Sequence, residues 1–275
     1  LLSKEFVKTI KEIPQFPENI SKINSLLNDP HSKLSDIAMN ISNDVSLTAE
    51  LLHLVNSAAF ALSTPCSNIT DAVKLVGLRG IKNLLFSIGT METLSSGKDE
   101  TKKEIWENAK KVAFFSYNLA KNYCSSDRQV VEDSYICGLL HDIGKILFQS
   151  AHPNLLSELQ EKCSAKDIPS PVFELMVAGV NHGEIGAMVT EKWNFPEVIT
   201  NVIRYHHNPA NAPEQYRKLA SLVSLASLMV DYYDEKIDFY QVNQPLLDMF
   251  KIDSLEQFDH IVKRFGQVLA QETAQ

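Results

Sequence analysis

The sequence Gly-Leu-Leu-His-Asp-Ile-Gly-Lys-Ile, residues 138–146, decides how the rest of this chain is interpreted. It places an adjacent histidine and aspartate inside an apolar run, between two glycines and with a lysine just beyond. Residues 130–148 contain no proline and predict one helix that is apolar on more than one side. Gly138 and Gly144 lower the stability of such a helix, which indicates that another part of the chain approaches its backbone closely.

The polar residues of this run are His141, Asp142 and Lys145. On a helix, Lys145 lies one turn after His141 on the same face, and Asp142 is rotated from His141 by about 100°. His141 and Asp142 can therefore bind one ion only if it lies above the edge between them. A His-Asp dipeptide alone is more often a hydrogen-bonded pair in a core, so its interpretation depends on the rest of the chain.

The composition is that of an ordinary globular protein. The chain has 275 residues, of which 44% are hydrophobic and 22% are charged. Its formal net charge of −8 argues against a broad surface for nucleic acid or for an anionic membrane. The 4 cysteines form no Cys-x-x-Cys pair, so we predict buried thiols in a reducing compartment. No signal peptide or apolar run of membrane length is evident in this sequence, so we expect a cytoplasmic location.

Helical apolar periodicity runs through the chain and no strand pattern appears, so the sequence predicts an all-α fold. Residues 95–100, Ser-Ser-Gly-Lys-Asp-Glu, are polar and have the composition of a flexible linker. We therefore predict two lobes, with an N-terminal helical lobe at residues 1–97 packed on a C-terminal helical lobe at residues 98–275. Arg79 and Lys82 in the first lobe are predicted to lie on a solvated face.

Further motifs occur in both halves of the chain. The first half contains Asp44-x-x-Leu47-x-x-x-Leu51, Val55-Asn56-Ser57-Ala58, Ile69-Thr70-Asp71-Ala72-Val73 and Leu75-Val76-Gly77-Leu78. The second half contains His182-Gly183-Glu184-Ile185-Gly186-Ala187, Trp193-Asn194-Phe195-Pro196 and Ile203-Arg204-Tyr205-His206-His207-Asn208-Pro209. His-Asp-x-Gly-Lys resembles the signature of the HD superfamily of metal-dependent phosphohydrolases. The ordered set of motifs resembles the HDOD domain, a bacterial signalling relative of that superfamily, from about residue 17 to residue 232.

This resemblance implies a site built from an early histidine, the His-Asp pair, two later histidines and a final aspartate. The positions that match as metal ligands are His141, Asp142, His182, His206 and His207, and Lys145 matches as a cationic group for phosphoryl oxygens. The two outer positions depart from the pattern. The early histidine is replaced by Asn108, and the final aspartate by Ser227 or, one turn earlier, Ser224. Asp231 replaces that aspartate only in a shifted register.

Asparagine and serine are poor ligands for iron or manganese, so the resemblance implies a degenerate site. Two forms of it stay open: a single ion held by Asp142, His182 and His206 with His141 or His207 beside them, or a metal-free hydrogen-bonded cluster. The expected cofactor is thus one divalent transition metal (Fe, Mn, Ni or Zn) or none.

The function implied is a signalling module that binds a partner protein or a small ligand. We expect neither nucleic acid nor a membrane as a partner, and the oligomeric state stays open. The alternative is an active HD phosphohydrolase in which Asp142 and Lys145 are catalytic, and a further alternative is a scaffold without a ligand. The Gly-Tyr-Pro motif of the branch that cleaves cyclic di-GMP does not follow the His-Asp pair. His53, on an apolar helix, is not predicted to be a ligand.

Overall fold

The computed structural model describes residues 8, 10–60, 62, 64–94, 99–151 and 169–273. Within these ranges the chain forms α-helices and two short 3-10 helices, and no strand. The predicted all-α fold is therefore confirmed. None of the helices that the structure describes is long and apolar enough to span a membrane.

The helices follow one another closely along the chain, and many begin at a capping side chain. In the first half they are α1 (Glu18–Asn28), α2 (Leu34–Ser42), α3 (Val45–Val55), α4 (Ile69–Leu94), α5 (Glu100–Tyr123), α6 (Arg128–Leu140) and α7 (Ile143–Ala151). In the second half they are α8 (Ser170–Ala178), α9 (His182–Lys192), α10 (Glu197–Tyr205), α11 (Glu214–Tyr233), α12 (Gln244–Met249) and α13 (Leu255–Thr273). The 3-10 helices are Pro209–Asn211 and Phe239–Gln241.

The predicted single helix over residues 130–148 is wrong, because the chain breaks between α6 and α7 at the His-Asp pair. His141 caps the C-terminus of α6, and its Nδ1 lies 2.7 Å from the Gly138 carbonyl oxygen. That side-chain bond competes with continuation of the helix. Asp142 lies in this break and accepts a hydrogen bond from Lys145, whose Nζ lies 2.7 Å from Asp142 Oδ2.

The α4 region packs against α1, α2 and α3 on one side and against α6 on the other. Its axis kinks at Gly77, where φ is +73°, a conformation that glycine adopts most readily. Beyond the kink, Arg79 Nε donates to Asp133 Oδ1 at 2.7 Å, and Asn83 Nδ2 donates to the same oxygen at 2.9 Å. The predicted solvated face holds only in part for Arg79, whose half-exposed side chain pairs with a buried carboxylate of α6.

A second set of contacts joins the first part of the chain to α9 and α10. The ring of Phe16 lies 5.4 Å from that of Trp193 and 5.3 Å from that of Phe195, centroid to centroid. Phe86 of α4 adds a ring 4.3 Å from Phe195. Buried aromatic contacts of this kind hold the first part of the chain against the second. The predicted boundary after residue 97 lies in residues 95–98, outside the described residues, and stays a prediction.

Candidate metal centre

Four helices, α6, α7, α9 and α10, bring the predicted site residues together. Asp142 occupies the break between α6 and α7, His182 is the first residue of α9, and His206 caps α10. The helices α7 and α9 meet at Gly144, where a Cβ atom would lie 1.9 Å from the His182 carbonyl oxygen. The close backbone approach expected at Gly144 is confirmed, and its effect is to place His182 beside Asp142.

Four of the predicted ligands converge on one point. Asp142 Oδ1 lies 3.0 Å from His182 Nε2 and 3.7 Å from His206 Nε2. His182 Nε2 also lies 3.3 Å from His206 Nε2 and 2.7 Å from His207 Nε2. The ligand atoms of all four residues fall within 4.8 Å of one another, so they are near enough to share one ion. We call Asp142, His182, His206 and His207 the Asp-His cluster.

The other nitrogen of each buried ring fixes where its hydrogen lies. His182 Nδ1 lies 2.7 Å and 2.8 Å from the two carboxylate oxygens of Glu174. His206 Nδ1 lies 2.7 Å from the Ile203 carbonyl oxygen. Because these oxygens only accept hydrogen bonds, both Nδ1 atoms carry hydrogen, and the neutral rings present Nε2 lone pairs to the cluster.

When neutral, the rings of His182 and His206 therefore bring acceptors, and no donor, to the centre of the cluster. Asp142 Oδ1 is buried and has no hydrogen-bond partner in the described structure, although His182 Nε2 is near. A hydrogen on His182 Nε2 can satisfy only one acceptor, whereas a divalent cation can accept lone pairs from Asp142, His182 and His206 together. The donor set of imidazoles and one carboxylate thus fits a transition-metal ion.

His141 lies beside the other oxygen of the aspartate, and its ring is 5.1 Å from the His206 ring, centroid to centroid. Its Nε2 is buried without a hydrogen-bond partner, 3.3 Å from Asp142 Oδ2. Lys145 binds the same oxygen. Burial acts to raise the pKa of Asp142, but His141 and Lys145 outweigh burial and hold that pKa well below its ordinary value. The carboxylate is therefore ionised, with Oδ2 facing Lys145 and Oδ1 facing the cluster.

The imidazoles differ in how readily they take up a proton. Burial and the neighbouring imidazoles lower the pKa of His206 and of His207 well below the ordinary value. Burial also acts to lower the pKa of His182, but the Glu174 carboxylate outweighs it and raises that pKa. A carboxylate on the far nitrogen also makes an imidazole a stronger metal ligand.

Glu174 contacts the cluster but is not among the site residues predicted from the sequence. It lies in α8, is 0% exposed, and also accepts a hydrogen bond from the His182 backbone nitrogen at 2.8 Å. Burial acts to raise its pKa, but His182 outweighs burial and lowers it, so Glu174 is ionised. The available signal was a lone acid in the apolar sequence Ser-Pro-Val-Phe-Glu-Leu-Met-Val-Ala. A buried acid needs a partner, and the partner here is a histidine of the cluster.

We expect Glu174→Gln to weaken metal binding by about 10- to 100-fold, because the amide no longer holds His182 as a carboxylate does. Titration of the metal-free chain with Mn²⁺ or Zn²⁺ in a calorimeter measures this change. Glu256→Gln, at an exposed position of α13, is the matched control and should leave the affinity unchanged. An unchanged affinity in Glu174→Gln would show that Glu174 does not support the cluster.

The two replaced positions bring neither a histidine nor a carboxylate to the cluster. Among the described residues, the acidic, histidine and cysteine side chains close enough to share an ion include none from α5 or α11. Asn108 is half-buried in α5, with its Oδ1 buried and without a hydrogen-bond partner. Ser227 is half-buried in α11. His53 is exposed and lies outside the cluster.

Asp231, the alternative in a shifted register, also lies outside the cluster. Burial raises the pKa of Asp231. Lys145 and His141 act to lower it, which means that Asp231 is close enough to the site to interact with these two groups electrostatically. Its side chain pairs with Lys236, whose Nζ is 3.6 Å from Asp231 Oδ1.

Comparison with known proteins places the chain in a family. The model of the HDOD domain matches residues 13–209. An uncharacterized protein of Treponema pallidum (strain Nichols) is 41% identical over 256 residues, which are 93% of this chain. These residues are 49% of that protein, so the chain spans about half the length of the curated relative it matches.

Solved structures share the fold. An HDOD domain protein with unknown function from Geobacter sulfurreducens is 23% identical, with a TM-score of 0.75 over 98% of this chain and 94% of that one. A protein of Shewanella amazonensis SB2B, provisionally named a phosphohydrolase, is 24% identical, with a TM-score of 0.72 over 97% of this chain and 96% of that one. With the family model matching residues 13–209, this chain belongs to the HDOD domain family.

Proposed function

We propose that this chain is a signalling module that holds one divalent transition metal ion in the Asp-His cluster and acts by binding a partner or ligand. The observation that carries the proposal is the buried, unpartnered Oδ1 of Asp142, which faces imidazole nitrogens whose hydrogens lie on the other side of the ring. Lys145 binds the other oxygen of this carboxylate, but a buried oxygen without a partner is still costly, and a bound cation would give Oδ1 one.

The donor set indicates which ions suit the cluster. Asp142, His182, His206 and His207 would hold the ion, and imidazole-rich sites with one carboxylate favour Fe, Mn, Ni or Zn. Mg²⁺ and Ca²⁺ prefer shells of oxygen atoms and are a poor match. A bound divalent ion would supply a Lewis acid at the base of this site. The chain's own groups orient the ligands, with Glu174 on His182, the Ile203 carbonyl on His206 and Lys145 on Asp142.

The case against hydrolysis rests on the number of ligands. Phosphoester cleavage by two metal ions needs groups that hold both ions, one for the attacking oxygen and one for the leaving oxygen. Asn108 and Ser227 replace the outer ligands that the HD pattern would supply, and neither is a good ligand for these ions. The cluster that remains suits one ion.

An active phosphohydrolase is the second candidate, and one feature favours it. Lys145 is held on Asp142 at the edge of the cluster, where its ammonium group could meet a phosphoryl oxygen. Its side chain is 26% exposed, so the charge is reachable from solvent. An assay of turnover separates this candidate from the proposed one.

We expect no metal-dependent turnover of p-nitrophenyl phosphate, bis-p-nitrophenyl phosphate or cyclic di-GMP by the purified chain loaded with Mn²⁺ or Fe²⁺. The release of p-nitrophenol and the loss of cyclic di-GMP are measured in samples whose metal content is determined in parallel. Asp142→Ala, prepared in the same way, gives the background of contaminating enzymes. Turnover that needs the metal and disappears in Asp142→Ala would overturn the regulatory proposal in favour of hydrolysis.

A further inference from the structure

A cavity of about 250 Å³ lies where α4 meets α5 and α6, and none of the Asp-His cluster residues lines it. Its wall combines Phe60 and the kink of α4 with residues of α5 and α6, so both predicted lobes contribute to it. On α6 the lining residues run from Arg128 to Ile136, so the last of them precedes His141 by about 7.5 Å along the helix axis. We call this space the interlobe cavity.

One side of the interlobe cavity is aromatic. The Phe60 ring lies 4.9 Å from the Tyr117 ring and 5.4 Å from the Tyr135 ring, centroid to centroid. Rings packed together in this way form a stiff apolar wall that suits another ring. A cavity of roughly 150 Å³ is enough for benzene, and drug-sized ligands occupy about 300–1,000 Å³. The size therefore suits one ring or a small fused ring rather than a nucleotide.

The mouth of the cavity carries two cationic side chains, each paired with a carboxylate. Arg128 is on its rim with a side chain 82% exposed, and its Nε donates to Glu132 Oε1 at 2.6 Å. The terminal guanidinium nitrogens make no hydrogen bond within the described part of the chain, so they are available to an anion. Lys74 is on the same rim, 64% exposed and paired with Asp71.

The kink of α4 lets this cation approach the backbone. A Cβ atom on Gly77 would lie 3.6 Å from Arg128 Nη2, so the guanidinium lies directly over the glycine. At its φ of +73°, another residue would be strained as well as bulkier. The rim thus keeps a guanidinium close to the opening of an aromatic-walled space.

We propose that the interlobe cavity binds a small aromatic anion, with its ring against Phe60, Tyr117 and Tyr135 and its carboxylate or phosphate on Arg128. Binding in this mode uses both lobes, and junctions between lobes are frequent sites for small ligands. It requires no metal ion, so it goes beyond the function proposed for the Asp-His cluster.

The test is calorimetric titration of the full chain with indole-3-acetate, phenylacetate and phenyl phosphate, in the presence and in the absence of EDTA. We expect saturable binding of at least one anion at one site per chain, unchanged by EDTA. Neutral indole should bind more weakly than indole-3-acetate by about tenfold or more, because a charge-assisted hydrogen bond is lost.

Three variants locate the site. Arg128→Gln should weaken binding of the anion by about tenfold or more while leaving indole unchanged. Val131→Phe should block both by filling the cavity, without lowering the melting temperature. Arg264→Gln, at an exposed arginine of α13, should bind as the unmodified chain does. The proposal is overturned if none of the three anions binds at millimolar concentration, or if Arg128→Gln and Val131→Phe bind them as well as the unmodified chain.

Discussion

Replacing Gly144 by alanine is expected to lower the free energy of unfolding by about 3 kcal/mol or more, the upper range for overpacking a core. The added Cβ would lie 1.9 Å from the His182 carbonyl oxygen and 2.9 Å from its Cα. Both are backbone atoms at the start of α9, so no side-chain rotation relieves the clash. Separating α7 from α9 would also carry His182 away from Asp142, and the substitution should therefore weaken metal binding as well.

Urea denaturation followed by circular dichroism measures the loss of stability. Gly183→Ala is the matched control, because it adds the same methyl group on α9 at contacts no shorter than 3.0 Å, to the Ile203 carbonyl oxygen. Its cost should be clearly smaller. If Gly144→Ala unfolds at the same urea concentration as the unmodified chain, the close packing of α7 on α9 is not as described.

His206→Ala is expected to weaken metal binding more than about 100-fold, since loss of a group that only orients a ligand already costs about 10- to 100-fold. His206 is 1% exposed, and its Nε2 faces both Asp142 and His182. Without this ring, the remaining donors lose one of the nitrogens that would surround the ion. Calorimetric titration of the metal-free variant with Mn²⁺ and Zn²⁺ gives the affinity.

The control for this prediction is His53→Ala, which removes an imidazole from an exposed position of α3. It should bind metal as the unmodified chain does. Equal affinities for His206→Ala and the unmodified chain would mean that any ion binds elsewhere, and the metal-free hydrogen-bonded cluster would then be the better description.

The fold was predictable because its signal is local. Apolar periodicity and capping residues such as Asp44, whose side chain accepts from the Leu47 backbone nitrogen, mark helices in the sequence itself. The break between α6 and α7 was not predictable in this way. It depends on the His141 ring bonding to the Gly138 carbonyl and on α9 meeting Gly144, and the second contact joins distant parts of the chain.

The site residues that lie in sequence motifs could be predicted. Those whose role depends only on how the helices pack could not. The residues of the Asp-His cluster were identified by resemblance, but only the structure shows His207 joining His182 while His141 faces the opposite oxygen of Asp142. Glu174 belongs to no motif, so its role emerges only when α8 packs beside α9. The pairing of Arg79 was missed for the same reason, since its partner Asp133 is 54 residues away.

The most direct test of the single-metal account is the metal content of the purified chain. The chain is incubated separately with Fe²⁺, Mn²⁺, Ni²⁺ and Zn²⁺, freed of excess ion by gel filtration, and analysed by mass spectrometry alongside Asp142→Ala. We predict one ion per chain for at least one of these metals and none in the variant. A folded chain that retains no ion, that retains two, or that retains as much as Asp142→Ala would contradict it.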